Sequence, residues 1–131
     1  MKKELFYFLI FLMSFLIFGC AAPKMYYWGD YSSSLHRCRK DATDGNFLKH
    51  KQILENIVEE SQKGNLRVPP GVYAELGYIY FRQNKYDDAI KYFELEERIY
   101  PESKIFMQRL TQAARARNKD TENKTGLPKK D

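Results

Sequence analysis

A set of spaced residues between Tyr73 and Pro101 constrains this chain more than any other feature. Tyr73-x2-Leu76-Gly77-x2-Tyr80 is followed by Ala89-x3-Phe93 and then by Pro101. Separations of three and four put each group on one face of a helix. Gly77 and Ala89 are small, which suits two antiparallel helices that approach closely, and Leu76, Tyr80 and Phe93 fill the seam between them. Asn84-Lys85 reads as the tight turn. Tyr86-Asp87-Asp88 opens the second helix with acids near its positive end. Pro101 stops it.

These positions resemble the tetratricopeptide pattern W-x2-L-G-x2-Y…A-x3-F…P, with tyrosine in place of the first tryptophan. Glu96 departs from it, standing where that pattern has alanine, so the far end of the second helix is expected to be looser or to meet a different neighbour. One such hairpin cannot bury its own flanks. Gly29-Asp30-Tyr31-Ser32-Ser33-Ser34-Leu35 resembles Asn84-Lys85-Tyr86-Asp87-Asp88-Ala89-Ile90, and a helix is expected from Trp28 to Lys40. Asp44-Gly45-Asn46 reads as a turn. Phe47 to Gln62 is amphipathic and ends at Lys63-Gly64-Asn65, a glycine stop. Val68-Pro69-Pro70-Gly71 reads as a rigid connector. Ser103 is expected to cap a last helix reaching Arg117. The fold expected is all-α, a short tetratricopeptide-like stack of antiparallel helical hairpins with about five helices. The clear repeat covers 70–103 within a domain over 28–117, and a disordered polar tail is expected over 118–131.

The start of the chain says where it is expected to reside. Lys2 and Lys3 precede an apolar run from Leu5 to Phe18, interrupted by Ser14 and ending Ile17-Phe18-Gly19-Cys20. This is the order of a secretory signal. The run is shorter than the roughly 18 residues a membrane span requires. The last four residues resemble a bacterial lipobox, which implies a signal over 1–19, cleavage before Cys20 and acylation of the Cys20 thiol. An ordinary signal peptide or an uncleaved anchor is the competing reading. Residues 20–27 then read as a tether. Tyr26 and Tyr27 at its end, with Trp28 just after it, suit either a membrane interface or packing on the first helix, with packing favoured. Cleavage removes Lys2, Lys3 and Glu4, and the formal charge falls from +5 to +4. So mild an excess gives no argument for nucleic acid.

The sequence carries no phosphate loop, nucleophile elbow or Cys-x-x-Cys. His36 and His50 stand in no ligand spacing, so neither metal nor cofactor is expected. With Cys20 acylated, Cys38 has no partner in the chain, and it is read as a packed apolar residue or an intermolecular link. Glu94, Glu96 and Glu97, or Glu59 and Glu60, read as solvated helix faces rather than paired acids. No small-molecule substrate and no enzyme activity are expected.

Binding is the remaining class. The repeat's first helix has a second apolar side, Ala74, Tyr78 and Phe81, with Arg82. By the resemblance this is where a concave groove is presented. Gln108, Gln112 and Arg115 are the matching positions expected on the last helix. Aromatics edged by arginine suit an amphipathic helix or extended peptide. The competing reading buries Tyr78 and Phe81 under the Phe47–Gln62 helix, and the shortness of the array favours it slightly. The lysine–asparagine carboxylate clamp of tetratricopeptide co-chaperones is absent, since Ala74 and Tyr78 occupy its places.

The lipobox, Tyr26-Tyr27-Trp28-Gly29-Asp30-Tyr31, the stretch Val68-Pro69-Pro70-Gly71-Val72-Tyr73-Ala74-Glu75-Leu76-Gly77-Tyr78 and Tyr100-Pro101-Glu102-Ser103 together resemble a family of small bacterial lipoproteins known only as a domain of unknown function. The likeness spans most of 20–115. It implies an origin beside curli-secretion-type pore lipoproteins, and hence an accessory subunit of an envelope assembly. Ala21 lacks the aspartate that commonly retains lipoproteins in the inner membrane, which implies the outer membrane, facing the periplasm. The alternative function is a periplasmic adaptor that recruits cell-wall or proteolytic enzymes.

Overall fold

The computed structural model describes residues 3–4, 6–7 and 24–125. Most of the expected signal, together with Cys20, lies outside the described residues, as do 126–131. From Tyr31 onward the chain forms α1 (Tyr31–Lys40), α2 (Asp44–Lys63), α3 (Val72–Arg82), α4 (Tyr86–Ile99), a 3₁₀ turn at Pro101–Ser103, and α5 (Lys104–Thr125). The architecture is an all-α helical stack with no strand among the described residues beyond an isolated bridge between Tyr26 and Arg67. None of these helices is long and apolar enough to cross a membrane.

The pattern around Gly77 has the packing its residue sizes imply. Gly77 lies directly against the Phe93 ring, and Leu76, Ala89 and Phe93 are fully buried. A buried side chain of this size contributes about 1.5–3 kcal/mol. Asn84 makes the turn in the left-handed region, φ 60°, and its side-chain oxygen accepts a hydrogen bond from the Tyr86 hydroxyl at 2.8 Å. The likeness between the segments that open α1 and α4 has a backbone counterpart. Gly29 precedes α1 with φ 44°, as Asn84 precedes α4, and small buried residues, Ser34 and Ala89, occupy matching positions.

Two apolar clusters make the core. Leu54, Ile57, Val68, Val72, Tyr73 and Leu76 join α2, the connector and α3. Ala89, Phe93 and Met107 join α4 and α5. Stacked tyrosines run beside the seam: Tyr73 on Tyr92 at 6.1 Å and Tyr80 on Tyr92 at 5.3 Å. The Lys51 ammonium covers the Tyr80 ring at 4.3 Å, and the Tyr80 hydroxyl donates to Glu55. This cation–π contact and hydrogen bond hold α2 to the first hairpin helix.

Several local expectations are corrected. Asp44-Gly45-Asn46 is the first turn of α2 rather than a loop, because Thr43 Oγ1 accepts the Asn46 amide as an N-cap. At the other end Gly64 keeps φ −81° and Asn65 takes the left-handed conformation, φ 49°, so that the Leu66 amide can reach the Ser61 carbonyl. Ser103 does not cap α5, since its hydroxyl donates to the Tyr100 carbonyl. Helix α5 also runs past its expected end at Arg117, to Thr125, and just after Arg117 the Asn118 side chain donates to Asp87 of α4 at 2.9 Å.

Glu96 is the largest surprise. It is 3 % exposed, and its carboxylate accepts the Gly71 amide at 2.7 Å. The far end of α4 is therefore closed against the N-terminus of α3. Glu96 supplies the cap that Gly71, which has no side chain, cannot give. The solvated reading of this acid does not hold.

Candidate functional site: an apolar groove between α3 and α5

Ala74 and Tyr78, one turn apart on α3, face Phe106 and Leu110, one turn apart on α5. With Gly71 and Glu75 they line a groove of about 340 Å³. Tyr78 is 51 % exposed and Phe106 61 % exposed. Burial of Tyr78 under α2 is thus corrected: α2 packs on the Tyr73–Leu76 side of α3 and leaves the other side open. Tyr78 also walls a second cavity of about 300 Å³, lined by Ala42, Asp44, Phe47, Ile79, Arg82 and Gln83. There the Arg82 guanidinium lies 5.6 Å from the centre of the Phe47 ring.

The other expected residues divide. Phe81 is partly buried against the α4–α5 cluster, its ring edge-on to Tyr86 at 5.5 Å, so it belongs with the core rather than the groove. Gln108, Gln112 and Arg115 lie on a different side of α5, in a polar cleft against α4. Gln108 donates to Glu97 at 2.8 Å and Arg115 pairs with Glu94 at 2.9 Å. The α5 wall of the groove is instead Phe106 and Leu110. Phe106 and Leu110 are an apolar i, i+4 pair in the sequence, two positions before the Gln108 and Gln112 to which the repeat register points.

Beside the groove lies a polar cluster that the sequence does not announce. His50 is 3 % exposed. Its Nδ1 is 2.8 Å from the Ser34 hydroxyl and its Nε2 3.1 Å from a Glu75 carboxylate oxygen. The Tyr31 ring packs on the imidazole at 5.8 Å. Burial first, then the charge and hydrogen bond of Glu75, push the Tyr31 phenol up to about 12. Burial, with Glu75 second, also raises the Cys38 thiol, which disfavours a reactive thiolate. Serine, histidine and glutamate in a row resemble a nucleophile–base–orienter array. Ser34, however, is 2 % exposed and lines neither cavity. Its geometry is that of a satisfied buried network tying α1, α2 and α3 together. The one sequence signal for it was the position of His50 beside Ile53 and Ile57 on α2. Among the described residues no cluster of three or more His, Cys, Asp or Glu is arranged to hold a metal ion.

No curated protein matches the chain, and no solved structure matches it. One family model does, over residues 25–110, from the tether through α4 and into the first turns of α5. That stretch contains the connector, the close-packed hairpin and both walls of the groove, and the chain belongs to the family described as domain of unknown function DUF4810.

Proposed function

We propose that this chain is an outer-membrane lipoprotein, held by acyl groups on Cys20 and facing the periplasm. Its tetratricopeptide-type stack serves as a non-catalytic, protein-binding accessory subunit of an envelope complex. The observation that carries this reading is the half-exposed Tyr78 in an apolar groove completed by Phe106 and Leu110. Exposed apolar surface of this kind marks interaction sites, and two parallel rows of i, i+4 side chains suit an amphipathic helix or an extended peptide. Resemblance to lipoproteins encoded beside pore-forming ones makes such a pore subunit the expected partner.

A photo-crosslinking residue at position 106, in the full chain and in cells, tests the reading. Recovery of a pore-forming lipoprotein is expected; recovery of cell-wall hydrolases or proteases instead supports the adaptor function. Tyr78→Ala is expected to remove the crosslink while changing stability by no more than about 0.5 kcal/mol, as for other exposed positions. A large fall in melting temperature with the crosslink intact would make Tyr78 a structural residue. Cys20→Ser is expected to release the chain from the membrane fraction. Retention there would point to an uncleaved anchor.

A further inference from the structure

The segment that precedes α1 is pinned at one point and open elsewhere. Tyr26 pairs with Arg67 in the isolated bridge and is half-buried. Its phenol lies near that of the buried Tyr100, whose hydroxyl donates to the Val68 carbonyl. The Arg67 guanidinium covers the Tyr100 ring at 5.1 Å and donates to the Ile99 carbonyl at 2.9 Å. Tyr26 is thereby fastened to the α2–α3 connector and the end of α4. Its neighbours Met25, Tyr27 and Trp28 are 67 %, 36 % and 42 % exposed. The Trp28 ring is held by ring contacts to Tyr26 at 6.3 Å and Tyr31 at 5.3 Å, so it is positioned even where it meets solvent. Lys24 beside them is exposed.

Six residues, Cys20 among them, separate this apolar rim from the end of the N-terminal apolar run at Phe18. At about 3.5 Å per residue the chain from Cys20 to Met25 reaches no more than about 18 Å. An anchor at Cys20 therefore keeps the rim close to the headgroup layer. Tryptophan and tyrosine are the side chains that settle there, ring in the interface and polar tip toward water, and lysine places its ammonium among the phosphates.

We propose that Met25, Tyr27 and Trp28, with Lys24, are a membrane-docking surface that seats the connector end of the domain on the leaflet holding the Cys20 anchor. The inference rests on the lipoprotein reading above. A lipid surface is the occupant because these side chains continue from the anchor and are fixed to the folded domain through Tyr26. The consequence is a defined orientation rather than free tumbling on a tether.

Trp28 is the sole tryptophan of the chain, which gives a clean probe. The full-length protein, purified from membranes, is reconstituted into phosphatidylethanolamine–phosphatidylglycerol vesicles with or without brominated acyl chains. Flotation reports anchoring, and Trp28 emission reports docking. Expected are a blue-shifted emission and a marked loss of it in brominated vesicles, with much of that quenching abolished by the double substitution Met25→Ser, Tyr27→Ser. Both replaced side chains are exposed, so the domain remains folded. Flotation with emission unaffected by bromine and open to aqueous acrylamide overturns the docking surface and leaves the lipoprotein reading standing. A chain that does not float, with Cys20 unacylated by mass spectrometry, overturns both.

Discussion

Gly77→Ala is expected to lower the melting temperature of the domain by roughly 10–20 °C. An alanine Cβ at this position would stand 2.6 Å from both Cδ1 and Cε1 of Phe93 and 3.1 Å from the Ala89 carbonyl oxygen. Neither neighbour has room to withdraw. Phe93 and Ala89 are fully buried, and Met107 of α5 closes the far side of the cluster. Relief therefore requires α3 and α4 to move apart, and overpacking of this kind costs about 3 kcal/mol. That is a large share of the roughly 5–15 kcal/mol that holds a domain of this size together. Adding Phe93→Leu to Gly77→Ala is expected to recover part of the loss, although Phe93→Leu alone destabilises. A thermodynamic cycle over the four proteins measures that coupling. A Gly77→Ala chain that melts within a degree or two of the native one would show that the helices do not meet as closely as described.

The second large effect is at Glu96. Glu96→Ala leaves the Gly71 amide without its acceptor and removes a negative charge from the positive end of α3. Loss of the cap and exposure of a buried unpaired amide together amount to about 2–4 kcal/mol. Glu96→Gln is expected to behave differently, because its amide oxygen can still accept from Gly71. Burial raises the Glu96 carboxyl above its ordinary value. The Gly71 amide, and after it those of Ala74 and Tyr73, pull it down, and the nearby Glu102 adds a smaller push upward. The second oxygen, Oε2, has no hydrogen bond, which agrees with burial prevailing. A carboxyl raised in the folded state contributes stability that is fully present below its unfolded value and is lost as pH rises through the raised one. Native stability is thus expected to decline over that window, and the decline should be shallower in Glu96→Gln. Urea titrations of both proteins between pH 4 and 7 check this; parallel profiles would mean that Glu96 is not the group responsible.

Both predictions bear on the groove. Gly77 sets the spacing of α3 and α4, and Glu96 holds the first turn of α3, whose Gly71 and Ala74 line the groove beside Tyr78. Partial failure at either position is therefore expected to weaken partner capture without touching a groove side chain. Tyr78→Ala differs from them in acting on capture alone.

What could be read from the residues and what could not divides along physical lines. The hairpin was legible because Gly77, Ala89, Asn84 and Pro101 impose local requirements: a close approach, a left-handed turn, a helix stop. Exposed Tyr78 was half legible, since its spacing put it off the seam while the shortness of the array favoured its cover by α2. Gln108, Gln112 and Arg115 were matched to the groove by register, yet α5 is rolled so that they meet Glu94 and Glu97. Glu96 looked like an ordinary surface acid because its partner lies on another helix, as do those of His50 on α1 and α3.

The sequence by itself determined the all-α class and the paired helices around Gly77, because 3.6-residue periodicity and turn chemistry act between neighbours along the chain. Only the tertiary structure decided which faces are left over. The roll of α5 on α4, the Glu96 cap on α3, and the line from Ser34 through His50 to Glu75 depend on contacts between helices remote in sequence. Periodicity leaves each helix's rotation free, and the fit of Phe93 and Met107 around Gly77 and Ala89 sets it.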